Sequence, residues 1–236
     1  MTLKNAVLIV ASGRGSRIGG DVPKQYQHIG NAPILTHTIK RFVAHDKIDG
    51  IIVVIHPDDV ELYQDAISGL DQSKILPYTF GGTERQYSVT HGLKAISHLQ
   101  PQNILIHDGA RPFVEAGLID QLISICDEYL GAIAATPITD TIKMVSTKGA
   151  ETIDKTLDRD LLWAAQTPQA FDFNTIMQAH AQVSQMGENK LFTDDAAIFE
   201  HLDIAVKLVK SSNENIKITH PEDFAYANAK LDKEND

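Results

Sequence analysis

Apolar residues along this chain gather into short unbroken blocks separated by longer amphipathic stretches. "AVLIV" at 6–10, "GIIVVI" at 50–55, "NILI" at 103–106 and "GAIAAT" at 131–136 are continuous rather than alternating. A strand without polar alternation is covered on both faces, the condition found inside a parallel sheet. The stretches between the blocks have helical periodicity. Leu35, Ile39, Phe42 and Val43 share one side of a segment with Pro33 at its first helical position. Val89, Leu93 and Ile96 do the same in "ERQYSVTHGLKAISHL", as do Leu118, Leu122 and Ile125 in "EAGLIDQLISICDEYL". The βαβα alternation predicts an α/β fold with helices layered on both faces of a mostly parallel sheet.

The texture changes after Pro137. "ITDTIKMVSTKGAETIDKTLDR" sets Thr, Ile and Val in short alternating runs around a Lys-Gly turn, which predicts a β-arm protruding from the sheet at about 138–160. Helices are predicted over "DFNTIMQAHAQVSQMG" and, with Thr193 as cap, over "DDAAIFEHLD". "AVKLVK" and "NIKIT" follow, the second read as a strand, then a helix opened by Pro221, Glu222 and Asp223. The tail "DKEND" reads as disordered, and residues 1–236 as one domain without internal repeats.

Charge narrows the possible partners. With 31 acidic against 21 basic residues the formal charge is -10, which argues against nucleic acid or an anionic membrane as partner; an anion site here must be local. The lone Cys126 lies in an apolar helical pattern, so the chain has no internal disulfide and no cysteine metal cluster. Ten scattered histidines form no HExxH-type pair. The N-terminal apolar run is too short to span a membrane and no cleavage-like region follows it, so a cytoplasmic protein is expected.

One turn concentrates positive charge. After the first apolar block, Gly13, Gly15, Gly19 and Gly20 are interleaved with Arg14 and Arg17 and followed by Lys24. Glycines there let backbone N–H groups converge on a phosphate. A dinucleotide fingerprint needs glycine where Ile18 stands and an acid ending the next strand, where "VVIHPDD" offers only a displaced Asp58. A Walker loop needs Lys and then Ser or Thr after Gly20, where Asp21 and Val22 stand. With both excluded, the residues leave a local phosphate cradle or a plain turn with solvated cations.

A wider pattern adds to this reading. "ASGRGSRI" followed by "PKQY", then "GGTERQYSV", "HDGARPFV", "TDTIK", "TLDRDLLWAAQTPQAF", "TDDAA" and "NIKITHPEDF", resembles in order and spacing the sugar-phosphate and polyol-phosphate nucleotidyltransferases. The resemblance is specifically to the 2-C-methyl-D-erythritol 4-phosphate cytidylyltransferase family and runs from about Ala6 to Phe224. It implies a Rossmann-like three-layer αβα nucleotidyltransferase core and transfer of CMP from CTP to a polyol phosphate, with release of pyrophosphate.

By position, it assigns Arg17, Lys24 and Lys217 to catalysis at the phosphates. Ala11, Ser12, Gly13, Arg14 and Gly15 would line the triphosphate with backbone donors. Gly81, Gly82, Thr83 and Ser88 fall on the cytosine side, and Asp108 and Gly109 join the CTP site. Asp108, Thr141, Arg159, Thr167 and Thr193 fall on the polyol-phosphate side, while His107 reads as structural. No protein metal ligand is implied, because Mg²⁺ would be bound mainly through the CTP phosphates. The arm implies a homodimer with sites shared across it. Ser12, Ile18 and Gly109 depart from the commonest family letters. Some relatives carry a fused C-terminal cyclodiphosphate synthase domain, which these residues are not expected to include.

The chemistry agrees with the residues. A phosphate monoester with a second pKa of about 6 is already an ionised nucleophile at neutral pH, so no dedicated general base is required. The difficulty is bringing anions together, for which cations and positioned N–H groups are the tools. Two alternatives are a ribitol-5-phosphate cytidylyltransferase and, from another class, a nucleotide-binding regulator without turnover.

Overall fold

Each of the four apolar blocks is a strand in the computed structural model, which describes residues 3–14, 22–186 and 191–235. In chain order the strands are β1 (Asn5–Ala11), β2 (His28–Ile29), β3 (Ala32–Pro33), β4 (Gly50–Ile55), β5 (Thr79–Phe80), β6 (Asn103–Asp108), β7 (Gly131–Pro137), β8 (Lys143–Val145), β9 (Ile153–Thr156), β10 (Trp163–Asp172) and β11 (Lys207–Lys210). The helices are α1 (Ile34–Val43), α2 (Val60–Ile67), α3 (Arg85–Ile96), α4 (Ala116–Cys126), α5 (Phe173–Gln185), α6 (Ala196–His201) and α7 (Pro221–Asn235).

Seven strands form the central sheet in the order β11-β7-β10-β6-β1-β4-β5, parallel throughout except for β10. The unbroken hydrophobicity of β1 follows from its place between β4 and β6. Val7, Ile9 and Ala11 pack in a core with Leu35, Ile39 and Phe42 of α1 and with Leu118 and Leu122 of α4. Ala6 and Leu8 enter a second core with Val89, Leu93 and Ile96 of α3 and with Phe173 and Ile176 of α5. Those two cores are the two interfaces of the αβα sandwich. Burying each Val, Leu or Ile side chain contributes roughly 1.5–3 kcal/mol. Cys126 belongs to the first core, and burial pushes its thiol up to about 12.

β10 is the element the hydrophobic pattern did not predict. It pairs antiparallel with β6 on one side and β7 on the other, and its register shifts between Ala165 and Gln169 where the Thr167–Pro168 peptide is cis. Gln166, Pro168 and Gln169 break the apolar run that marks the other central strands. The predicted arm is present as the β8–β9 hairpin, turning through Gly149 at φ +84°. Large apolar side chains lie exposed on and beside it, Leu161 at 79% and Ile153 at 57%.

Four local expectations change. Pro33 lies outside α1, at its N-cap position, with ψ 148°. Thr193 is not the cap of α6: Asp194 Oδ1 accepts the Ala197 N–H at 3.0 Å, and Gln169 Oε1 accepts from the Asp195 and Ala196 N–H groups. The tail is helical through Asn235, because Leu231 packs in a third core cluster and Glu234 pairs with Arg41 at 2.5 Å. "NIKIT" belongs to no strand. Its Ile218 N–H donates to Ala110 O at 2.9 Å, and the Asn215 side chain donates to Gln166 Oε1 and Thr167 O of β10, so scattered bonds rather than a strand ladder hold it.

Candidate active site

The carboxyl ends of β1, β4 and β6 deliver three segments to one edge of the sheet, where open α/β sheets place ligands. A cavity of about 430 Å³ opens there, lined by Ala11, Ser12, Gly13, Arg14, Lys24, Gly82, Thr83, Ser88, Asp108, Gly109 and Lys217. All are residues singled out from the sequence. Arg85, which was not singled out, joins them. Gly15 and Arg17 lie outside the described residues.

A smaller chamber of about 260 Å³ adjoins the first, lined by Thr167 and Thr193 together with Arg111, Gln169 and Asp194. Arg85, Asp108 and Lys217 line both chambers and form their common wall. Thr141 and Arg159 are exposed at the base of the arm and line neither chamber; Arg159 Nη1 donates to Thr139 O at 2.9 Å.

Asp108 is the centre of this wall. It is 8% exposed at the end of β6, with Lys217 Nζ 2.8 Å from Oδ2, Arg85 Nε 3.6 Å from Oδ1 and Arg111 Nε 3.7 Å from Oδ2. Burial works against its charge, but Lys217, Arg85 and Arg111 outweigh burial and hold its carboxyl well below the usual range. Three cations face Asp108 and, through Arg85, also Asp195, so the wall keeps a net positive charge. Lys217 reaches it because the neighbouring Ile218 is fully buried and bonded to Ala110, two residues beyond Asp108.

Arg85 begins α3 and spans two acids, pairing with Asp195 Oδ2 at 2.7 Å beyond Asp108. Asp195 is buried, and although burial opposes its charge, Arg85 and His180 hold its carboxyl below the ordinary range. Arg85 and Arg111 stand inside the segments "GGTERQYSV" and "HDGARPFV", close to Thr83 and Asp108. Their role depends on the meeting of β6, α3 and α6, which no local pattern shows.

Behind the wall, Thr167 and His107 hold Asp108 in place. Asp108 N–H donates to Thr167 Oγ1 at 3.0 Å, and Thr167 Oγ1 lies 3.1 Å from His107 Nδ1. His107 Nε2 lies 3.0 Å from the Arg111 carbonyl, which only accepts, so Nε2 carries the proton and Nδ1 accepts from Thr167. Burial pushes His107 down to about 4, in keeping with a neutral ring. The structural reading of His107 therefore stands, and the Thr167 hydroxyl spends its proton inside the protein.

On the other side of the cavity the backbone approaches closely. A Cβ at Gly81 would lie 2.5 Å from Ser12 Cβ and 2.7 Å from Ser88 Oγ, and one at Gly82 would lie 2.5 Å from Tyr87 Cβ. Ser88 Oγ accepts the Gly82 N–H at 3.1 Å and lies 2.9 Å from Ser12 Oγ, joining the β5–α3 loop to the end of β1.

The family model described as "IspD: 2-C-methyl-D-erythritol 4-phosphate cytidylyltransferase" matches residues 5–233. The chain belongs to this family. Within it, the chain is 44% identical over 231 residues to a 2-C-methyl-D-erythritol 4-phosphate cytidylyltransferase from Syntrophotalea carbinolica, covering 98% of this chain and 97% of that one. It is 45% identical over 230 residues to a bifunctional enzyme IspD/IspF from Mesorhizobium japonicum, covering 97% of this chain but 55% of the relative. The chain thus spans about half the length of the bifunctional curated relatives it matches. A solved 4-diphosphocytidyl-2C-methyl-D-erythritol synthase from Anaerococcus prevotii superposes with TM-score 0.83 at 32% identity, covering 97% and 96% of the two chains. The Francisella tularensis cytidylyltransferase of this family superposes with TM-score 0.81 at 31% identity, covering 97% of this chain and 100% of that one. The α/β nucleotidyltransferase core is that of the family.

Proposed function

We propose that the protein transfers CMP from CTP to 2-C-methyl-D-erythritol 4-phosphate, giving 4-diphosphocytidyl-2-C-methyl-D-erythritol and pyrophosphate. The observation that carries this reading is the pair of chambers with one cationic wall. A two-substrate transfer between phosphates needs donor and acceptor on either side of the reacting phosphorus, with positive charge between them. Membership of the family and the close, nearly full-length relative named for this activity support the choice of acceptor.

In this reading CTP occupies the larger chamber, its base against the Gly81–Gly82 backbone and Ser88, its triphosphate along residues 11–14. Lys24 and, by its place in the motif, Arg17 stabilise charge on the α-phosphate and the departing pyrophosphate. The acceptor phosphate enters the smaller chamber and is drawn by Lys217, Arg85 and Arg111. Asp108 aligns Lys217 and the arginines. No proton need be removed from the nucleophile, in accord with a wall built of cations.

Mg²⁺ suits this donor set as an ion carried by CTP. No cluster of three or more His, Cys, Asp or Glu residues able to hold a metal occurs among the described residues, and Asp108 and Glu84 are the carboxylates lining the larger chamber. Magnesium ordinarily takes one or two carboxylates together with substrate phosphates, and it would neutralise charge on the triphosphate.

The exposed Ile153, Leu161 and Trp163 on and near the arm support a homodimer in which Thr141 and Arg159 complete a neighbouring copy's site. Among the described residues no helix is long and apolar enough to cross a membrane, and a cytoplasmic setting, where CTP is found, belongs to the same reading.

The test is pyrophosphate release from CTP and Mg²⁺ with a panel of polyol phosphates. Methylerythritol phosphate is expected to be turned over much faster than ribitol 5-phosphate. The reverse order would make the protein a ribitol-phosphate enzyme, and no turnover with any acceptor would leave the regulator reading.

A further inference from the structure

Asp59 is a buried acid beside the larger chamber to which the reaction assigns no part. It ends the short turn Pro57–Asp59 after β4 and occupies the N-cap position of α2, where an aspartate commonly bonds back to its own helix. Its side chain makes no capping bond. Instead Oδ1 accepts from Arg14 Nη1 at 2.9 Å, with the Asp59 side chain only 2% exposed. Arg14 is bound further by the same turn, Nη2 donating to Asp58 Oδ2 at 2.7 Å and to His56 Nδ1. His56 Nδ1 also accepts the Asp58 N–H, so it faces Arg14 as an acceptor.

A second contact restrains the same stretch from another direction. Gln25 Nε2 donates to Ala11 O at 2.7 Å and to Gly13 O at 3.1 Å. Carbonyl and N–H point opposite ways across a trans peptide, so fixing these two carbonyls on Gln25 directs the Ser12 and Arg14 N–H groups away from it. A phosphate needs donors, and these two are the backbone donors that this orientation releases. The Arg14 side chain, by contrast, has given donors at both Nη atoms to Asp59, Asp58 and His56. Asp59 also bears on the turn that carries Lys24, since burial and then the Asp59 charge push the Tyr26 phenol well above its ordinary value.

We infer that Asp59 is a positioning residue for nucleotide binding: by holding the Arg14 side chain on the 56–59 turn, it keeps the backbone of residues 12–14 presenting N–H groups to the triphosphate. Arg14 in this arrangement is a tether. Its contribution to phosphate binding comes through its backbone. The inference rests on the CTP reading of the cavity.

Calorimetric titration of CTP into the wild type, Asp59→Asn, Arg14→Gln and the double variant tests it. Each single change is expected to weaken CTP binding about tenfold, about 1.4 kcal/mol. The double variant should be no weaker than Arg14→Gln, because that change already removes the contact to Asp59 along with those to Asp58 and His56. KM for CTP should rise by a similar factor, while kcat and the KM for polyol phosphate move less than about twofold. Wild-type CTP affinity in either single variant, additive losses in the double, or a fall in kcat at unchanged KM would each overturn the inference. If Asp59→Asn does not fold, Arg14→Gln at its 45% exposed site carries the test, and wild-type affinity there is equally decisive. A wild-type protein that binds no CTP overturns the cytidylyl reading, and this inference with it. Wild-type binding with unaffected variants overturns this inference alone.

Discussion

Protonation of His107 should be a main route by which mild acid destabilises this protein. The ring is fully buried, with Nε2–H on the Arg111 carbonyl and Nδ1 taking the Thr167 proton, and burial lowers its pKa from 6.5 to about 4. Between those values the unfolded chain holds a proton that the folded chain refuses. The folded pKa is the lower one, so this contribution is complete above pH 6.5 and is lost as pH falls towards 4. For one group moving from 6.5 to about 4, the loss between pH 7 and pH 5 is about 2 kcal/mol. The perturbation is His107→Gln, which cannot titrate yet keeps an amide donor and acceptor. Urea unfolding of both proteins at half-unit steps from pH 7 to pH 5 is the assay. The variant begins less stable, but the gap between the two curves should close by about 2 kcal/mol at the acid end. Parallel curves would refute a neutral, acid-sensitive His107 and with it the hydrogen-bond directions through Thr167 to Asp108.

Two further outcomes follow from the larger chamber. Gly81→Ala should raise KM for CTP and lower thermal stability, since its Cβ would lie 2.5 Å from Ser12 Cβ and 2.7 Å from Ser88 Oγ, and Ser12→Gly in the same chain should restore part of both losses; an unchanged KM would refute the close approach. Lys24→Ala and Arg17→Ala should each lower kcat about a hundredfold or more while circular dichroism stays that of the wild type, and near-normal pyrophosphate release would remove these residues from the chemistry.

The central strands were legible because each is buried on both faces, a condition that unbroken apolar letters record directly. β10 is likewise paired on both sides, by β6 and β7, but carries Gln166 and Gln169, whose amides serve Asn215, Asp194 and the start of α6, so its polarity disguised a core strand. The site was legible where a motif supplied the residue and a strand end delivered it, as with Asp108. Arg85, Gln25 and Asp59 were not, because their partners lie on other elements and exist only once the sheet has formed. Lys217 shows both cases. Its motif named the residue, yet the burial of Ile218 against Ala110, rather than a strand, puts its ammonium beside Asp108.

The antiparallel strand also explains where the arm could be placed. β7 and β10 pair from Pro137 and Trp163 inward, so the whole arm is the elaborated tip of one hairpin whose stem lies between β11 and β6 in the sheet. Such a tip is topologically separable: residues can be added to or removed from it without changing the order of the strands in the central sheet. The stem is not so free. It carries Thr167, whose hydroxyl takes the Asp108 N–H, so a shift of register in β10 would break the contact that fixes the backbone of Asp108.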